Sequence, residues 1–136
     1  MNVRTYFQTL RQKRRLKKSG LVFPLKTKLH GLKNSERQGG LTQSKALDEL
    51  QLVHTPLPDY PHNVYVYSIP LNRVLGYLDE EISLTLLSVF GQNFCLDGEI
   101  HKITGGAPLK YFGCEILVFD TTDFLADCED FSHLHE

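Results

Sequence analysis

The 136-residue chain has no tryptophan, one methionine and three cysteines, and each scarcity narrows what it can be. Cys95, Cys114 and Cys128 are too few and too far apart for a disulfide framework. No C-x-x-C pair exists, so a structural zinc site has no sequence support and no metal is expected. Cys95 and Cys114 fall in strand-like apolar runs, where a free cysteine reads as a small buried hydrophobe. No run approaches the ~20 apolar residues of a membrane span, and the basic start is not followed by a signal-peptide core. A cytoplasmic protein without membrane contact is therefore expected. Six histidines are scattered without H-E-x-x-H spacing, and Gly105-Gly106 lacks the Gly-Lys-Ser/Thr of a phosphate cradle. No nucleophile, base and orienting group can be assembled, so the expectation is no catalytic residue, no cofactor and no enzyme activity.

Charge, in contrast, is plentiful and unevenly placed. The net charge of −1 conceals seven Lys and Arg with no acid in residues 1–20, and six acids with no Lys or Arg in residues 120–136. Blocks of this kind act as interaction tails, the basic one towards phosphates, or pair with each other within a chain or across a homodimer. Residues 2–18 read as a helix with Val3, Phe7 and Leu10 as an apolar stripe and Ser19-Gly20 as its stop. A basic amphipathic helix can lie on an anionic membrane or along a nucleic-acid backbone. The stripe is short, however, so packing on the protein's own barrel or on a partner chain is expected, with the basic face outward.

From Leu21 the periodicity drops to two. Val22 to Leu29 reads as a first strand ending near Gly31, and residues 32–48 as a long loop with a helical turn around Leu41–Leu47. Glu49–His54 reads as a strand, and Pro56, Pro58 and Pro61 then impose an extended, fixed loop. Val64–Tyr67 and Arg73–Leu78 read as a hairpin about Pro70–Asn72. Asp79 has the chemistry of an N-cap, with Glu80 and Glu81 at the positive end of a helix that buries Ile82, Leu86, Leu87, Val89 and Phe90 and stops at Gly91. Phe94–Thr104 and Lys110–Phe119 complete about six strands, and Asp120–Glu136 reads as an acidic tail with a helical pattern of Phe124, Cys128 and Phe131. Many short strands with one inserted helix define a mainly β fold, a small, partly closed β-barrel of residues 21–119 with terminal helices.

Several segments in collinear order carry a family resemblance. They are His30-Gly31-Leu32, Glu36-Arg37-Gln38, Leu47-Asp48-Glu49-Leu50-Gln51-Leu52, the run Thr55–Val64, Val74-Leu75-Gly76-Tyr77-Leu78 with Asp79–Ile82, and Ile103-Thr104-Gly105-Gly106. Together they resemble the HIRAN family over about 95 residues, with Leu47 standing where Gly is usual. The resemblance implies an OB-like or SH3-like barrel that binds single-stranded DNA or DNA ends, the 3′ end in particular. Within the signature run Tyr60 and Asn63 match, whereas Pro61 stands where the family has Asp. Proline offers no side-chain acceptor for a terminal hydroxyl. Asp59 can replace it only if the loop turns it inward, so the expected preference for a free 3′-hydroxyl is small.

The expected nucleic-acid-binding residues are Arg37, Tyr60, Asn63, Lys110 and Tyr111. Single strands need π-faces for bases and cations for phosphates, and loop or strand-end aromatics present them best. Tyr65, Tyr67, Tyr77 and Phe112 are expected to divide between core and surface by alternation. For Asn63, a hydrogen bond to the backbone of its own loop is the alternative reading. The alternative function is a protein-interaction or assembly module, a homodimer whose barrel lacks the DNA pocket.

Overall fold

A computed structural model of the chain describes residues 3–106 and 108–120. The expected tail helix lies outside the described residues from position 121 on, as do the side chains of Val3 and Phe7 in the apolar stripe. The elements run α1 (Val3–Ser19), β1 (Leu25–Lys28), α2 (Ser35–Thr42), β2 (Glu49–His54), β3 (Val64–Ser68), β4 (Arg73–Tyr77), α3 (Glu80–Phe90), β5 (Cys95–Gly105) and β6 (Phe112–Val118). The six strands form one antiparallel sheet in the order β1-β6-β5-β2-β3-β4. It curls into a half-barrel, and the chain just past β1 returns to β4 at the opposite edge. There His30 N–H donates to Tyr77 O at 2.9 Å and Tyr77 N–H to His30 O at 3.1 Å.

Curvature comes from strand length and from two bulges. β5 pairs β2 over its first half and β6 over its second, so it bends between the two. The register shifts at Ile100/Lys102, which leaves His101 as the extra residue of β5. A second shift, against Val66/Tyr67, leaves Leu75 extra in β4. Each bulge adds local bend and right-handed twist. The interior holds Leu52, Val64, Val66, Leu75, Leu96, Ile100, Ile116 and Val118, all essentially sealed from water, with Leu86 of α3 among them. A smaller cluster of Val53, Tyr65, Tyr67, Val74 and Cys95 lies on the alternate side of the same strands. Tyr65 and Tyr67 therefore both pack outside the barrel core.

α3 forms as its sequence signals predict. The Asp79 carboxylate accepts from Glu81 N–H at 3.0 Å and Ile82 N–H at 3.2 Å, satisfying orphan donors of the first turn. Gly91, at φ +83°, closes the last turn with its N–H on Leu87 O.

The loop expected over residues 32–48 is different: its helix is α2, which starts earlier than Leu41 and contains Gly39 and Gly40. Asn34 caps it by accepting from Arg37 N–H at 2.8 Å, and Arg73 Nη2 reaches across from β4 to Glu36 O at 2.6 Å. A Cβ on Gly40 would stand 3.0 Å from Leu75 Cδ2, so the glycine lets α2 lie close to β4. Tertiary packing here overrides a helix penalty of about 0.5–1 kcal/mol per glycine. Cys95 and Cys114 are both buried, and among the described residues no helix is long and apolar enough to cross a membrane.

Candidate functional site

The junction that closes the barrel also builds a cleft. Gly31 follows the His30–Tyr77 bridge at φ +71°, and a Cβ there would collide with the Tyr77 ring and the Arg37 guanidinium. Glycine at this position lets α2 carry Arg37 in beneath the strand end. Arg37 Nη1 donates to Gly31 O at 2.6 Å, and its guanidinium lies 5.6 Å from the Tyr77 ring centroid. Burial pulls the Arg37 pKa down, opposed by the surrounding Tyr65, Tyr77 and Glu36. A guanidinium is basic enough to remain cationic at neutral pH all the same.

The facing wall comes from the proline-rich loop. Leu57 and Tyr60 exchange backbone hydrogen bonds at 3.0 Å around Pro58-Asp59, a tight turn for which Pro58 presets the backbone. The loop ends are clamped twice: Thr55 N–H donates to Asn63 O at 2.9 Å, and Asn63 Nδ2 donates to Thr55 O at 3.0 Å. A third restraint comes from buried His54. Its Nδ1 accepts from Asn93 N–H at 2.9 Å, which leaves Nε2 protonated and donating to Pro61 O at 2.7 Å. Phe94 stacks on the His54 ring at 6.0 Å between centroids. Tyr60, held by this frame, is 60% exposed and meets His62 edge to face.

Between the two walls is a cleft of about 420 Å³ lined by Arg37, Leu57, Tyr60, His62, Asn63, Tyr65, Tyr77, Leu78 and Glu80. Its carboxylate comes from the first residue of α3: Glu80 Oε1 lies 3.5 Å from His62 Nε2. Asp59 is exposed at the turn and does not line the cleft, so the loop does not turn it inward.

Of the five residues singled out in the sequence, the structure thus brings Arg37, Tyr60 and Asn63 into one cleft. Lys110 and Tyr111 do not line it. Tyr111 stands at the entry to β6 with Lys33 Nζ 5.9 Å and Lys110 Nζ 5.3 Å from its ring centroid, a separate aromatic–cation group. Gln38 ties that region to α2, donating to Leu32 O and Phe112 O and accepting from Phe112 N–H. Consecutive residues Arg37 and Gln38 therefore serve the cleft and the start of β6 respectively. Sequence reasoning missed His62, Tyr77 and Glu80 as lining groups and His54 as the brace behind Pro61. Tyr77 had a usable signal in its Gly-Tyr-Leu setting at a strand end; the other three had none.

Chemically, the cleft offers aromatic faces, one buried cation and a carboxylate–imidazole pair. These suit a flat, π-rich ligand that carries both an anionic group and a hydrogen-bonding group. Among the described residues no group of three or more His, Cys, Asp or Glu converges on a metal-sized site. Comparison with family models, curated proteins and solved structures finds no match to this chain.

Proposed function

We propose that the chain is a non-enzymatic, HIRAN-like binding module that takes the end of a single DNA strand into the cleft between Arg37 and Tyr60. One observation carries this reading: exposed Tyr60 and the Arg37–Tyr77 pair line the same cleft of about 420 Å³. A terminal nucleotide has the complementary parts, a base to stack on tyrosine and a phosphate to meet the guanidinium. Glu80, at 71% side-chain exposure, is the carboxylate within the cleft that can accept a hydrogen bond from a terminal hydroxyl. Lys33, Lys110 and Tyr111 form a second contact for the strand beyond its end. A cytoplasmic location belongs to the same proposal, supported by the buried free thiol of Cys114.

The deciding experiment is a titration of the full chain with short oligonucleotides whose 3′ ends are free or blocked. Binding with a preference for the free end, lowered by Glu80→Gln, is the expected result. Absence of binding to either oligonucleotide at low salt would reject the reading. The opposed charge of residues 1–20 and 120–136 favours a second reading, a homodimeric assembly module. A dimer that dissociates as salt rises, with no oligonucleotide affinity, would establish it instead.

A further inference from the structure

α1 concentrates positive charge that the barrel does not use. At 3.6 residues per turn, Arg11, Arg14, Arg15 and Lys18 fall at i, i+3, i+4 and i+7, one face of the helix. Together with Lys17 they border a shallow depression of about 520 Å³. All five side chains are exposed, whereas Leu10 and Leu16 are half-buried and the helix packs against α3. No acid occurs in residues 1–20, and none of the five cations is in an ion pair among the described residues. Each of these i,i+3 and i,i+4 neighbours is thus a like-charge pair that works against the helix. A polyanion laid along the face would remove that repulsion.

We infer that this face of α1 is a second binding site, for the phosphodiester backbone of a nucleic acid and without regard to its ends or sequence. A backbone presents closely spaced negative charges in a row, and the cations repeat at short intervals along one helix. Arg11, Arg14 and Arg15 supply planar forks that match phosphate oxygens, with Lys17 and Lys18 adding point charge near the carboxyl end of the helix. A membrane surface is the less suited ligand, because Leu10 and Leu16 are already partly covered rather than offered as an apolar stripe for insertion. This second site does not depend on the cleft being a pocket for strand ends.

The test uses the full chain and a circular single-stranded oligonucleotide, which has no end to enter the cleft. The wild type is expected to bind the circle with an affinity that falls steeply with salt. In the variant Arg11→Gln/Arg14→Gln/Arg15→Gln/Lys18→Gln the slope of log affinity against log salt should flatten by about 0.7 for each phosphate no longer neutralised. Glutamine is a good helix former, and far-ultraviolet circular dichroism checks that α1 persists. If it does not, the single variants Arg11→Gln and Arg15→Gln should each show the smaller flattening. Failure of the wild type to bind the circle at low salt overturns the inference, and so does a slope the substitutions leave unchanged. Binding to phosphatidylserine vesicles with none to the circle also overturns it, in favour of a membrane. Tyr60→Ala separates the two sites: loss of the cleft reading would show as an unchanged affinity for linear strands, with circle binding unaffected.

Discussion

The guanidinium of Arg37 lies 5.6 Å from the centre of the Tyr77 ring, at the point where the chain after β1 bridges to β4. One side chain thereby braces the junction that closes the half-barrel and lines the cleft. It is buried, donates to Gly31 O and brings positive charge to the cleft. Arg37→Ala is expected to cost about 1.5–3 kcal/mol of stability, the range for a charge-assisted hydrogen bond, read as a lower urea midpoint. Arg37→Lys keeps the charge but not the plane, so it should recover part of the midpoint. It should remain weaker than wild type in oligonucleotide binding. A midpoint unchanged by the alanine substitution would remove Arg37 from the closure.

Gly31 and Leu47 make opposite predictions from the same backbone region. Gly31 is at φ +71° with no room for a Cβ, whereas Leu47 is at φ +74° and 74% exposed. Left-handed backbone costs a side-chain-bearing residue roughly 1–2 kcal/mol. Gly31→Ala should therefore destabilise by more than that figure, since the ring of Tyr77 must also move. Leu47→Gly should stabilise by up to about 1 kcal/mol, the relief of strain being partly offset by the freer unfolded chain. Thermal melts of the two variants check both signs.

The buried thiol of Cys114 gives a pH prediction. Burial, with the Glu115 charge beside it, pushes its pKa from 9.0 up to about 12. Below the lower value both folded and unfolded chains hold the proton, so this group adds no pH dependence. Between the two values the unfolded chain releases the proton while the folded chain keeps it. Stability therefore falls as pH rises, by about 1.4 kcal/mol per unit from this group. Other groups titrate there as well, including Tyr67, which burial also shifts upward. The measurement is thus the difference between wild type and Cys114→Val. The variant should lose less stability between about pH 9 and 11, and equal losses would contradict the burial.

The strands were legible where alternation or a turn marked them. Glu49–His54 is β2 as expected, and Asp79 with Gly91 bounds α3 through the cap chemistry that their types suggest. What alternation could not show was the bulge at Leu75. Leu75 points into the core, so strict period two would send Tyr77 inward as well. The register shift instead pairs Tyr77 with Tyr65, and cross-strand partners share a face, which turns Tyr77 to the cleft. α2 was hidden for a different reason: Gly39-Gly40 reads as a break locally, and only the nearness of Leu75 explains a glycine at position 40. Arg37, Tyr60 and Asn63 were legible as binding residues, whereas the carboxylate–imidazole pair was hidden, because Glu80 meets His62 through packing rather than through spacing in the sequence.

Tyr60 is the sharpest probe of the proposed pocket because folding makes so little use of it. Its ring is 60% exposed, and its hydrogen bonds to Leu57 and Asn63 are made by backbone atoms that any residue supplies. Tyr60→Ala should therefore leave the melting transition within about 0.5 kcal/mol of wild type, as for other exposed positions. The loop that carries the ring is held by Pro58, by the Asn63–Thr55 clamp and by His54 against Pro61 O. Little conformational freedom remains to be lost when a base stacks on the ring. Removing the ring should weaken binding of a short single strand by about 1–3 kcal/mol, the range for one stacked base. Tyr60→Phe, which retains the π-face, should bind nearly as wild type if stacking dominates, and Tyr60→Leu should fall with the alanine variant. The brace makes a further distinction. His54→Ala leaves the ring in place but frees Pro61 O, so it should weaken binding less than Tyr60→Ala and lower stability more. Equal binding by all four variants and the wild type, with intact melts, would mean that the strand does not enter this cleft.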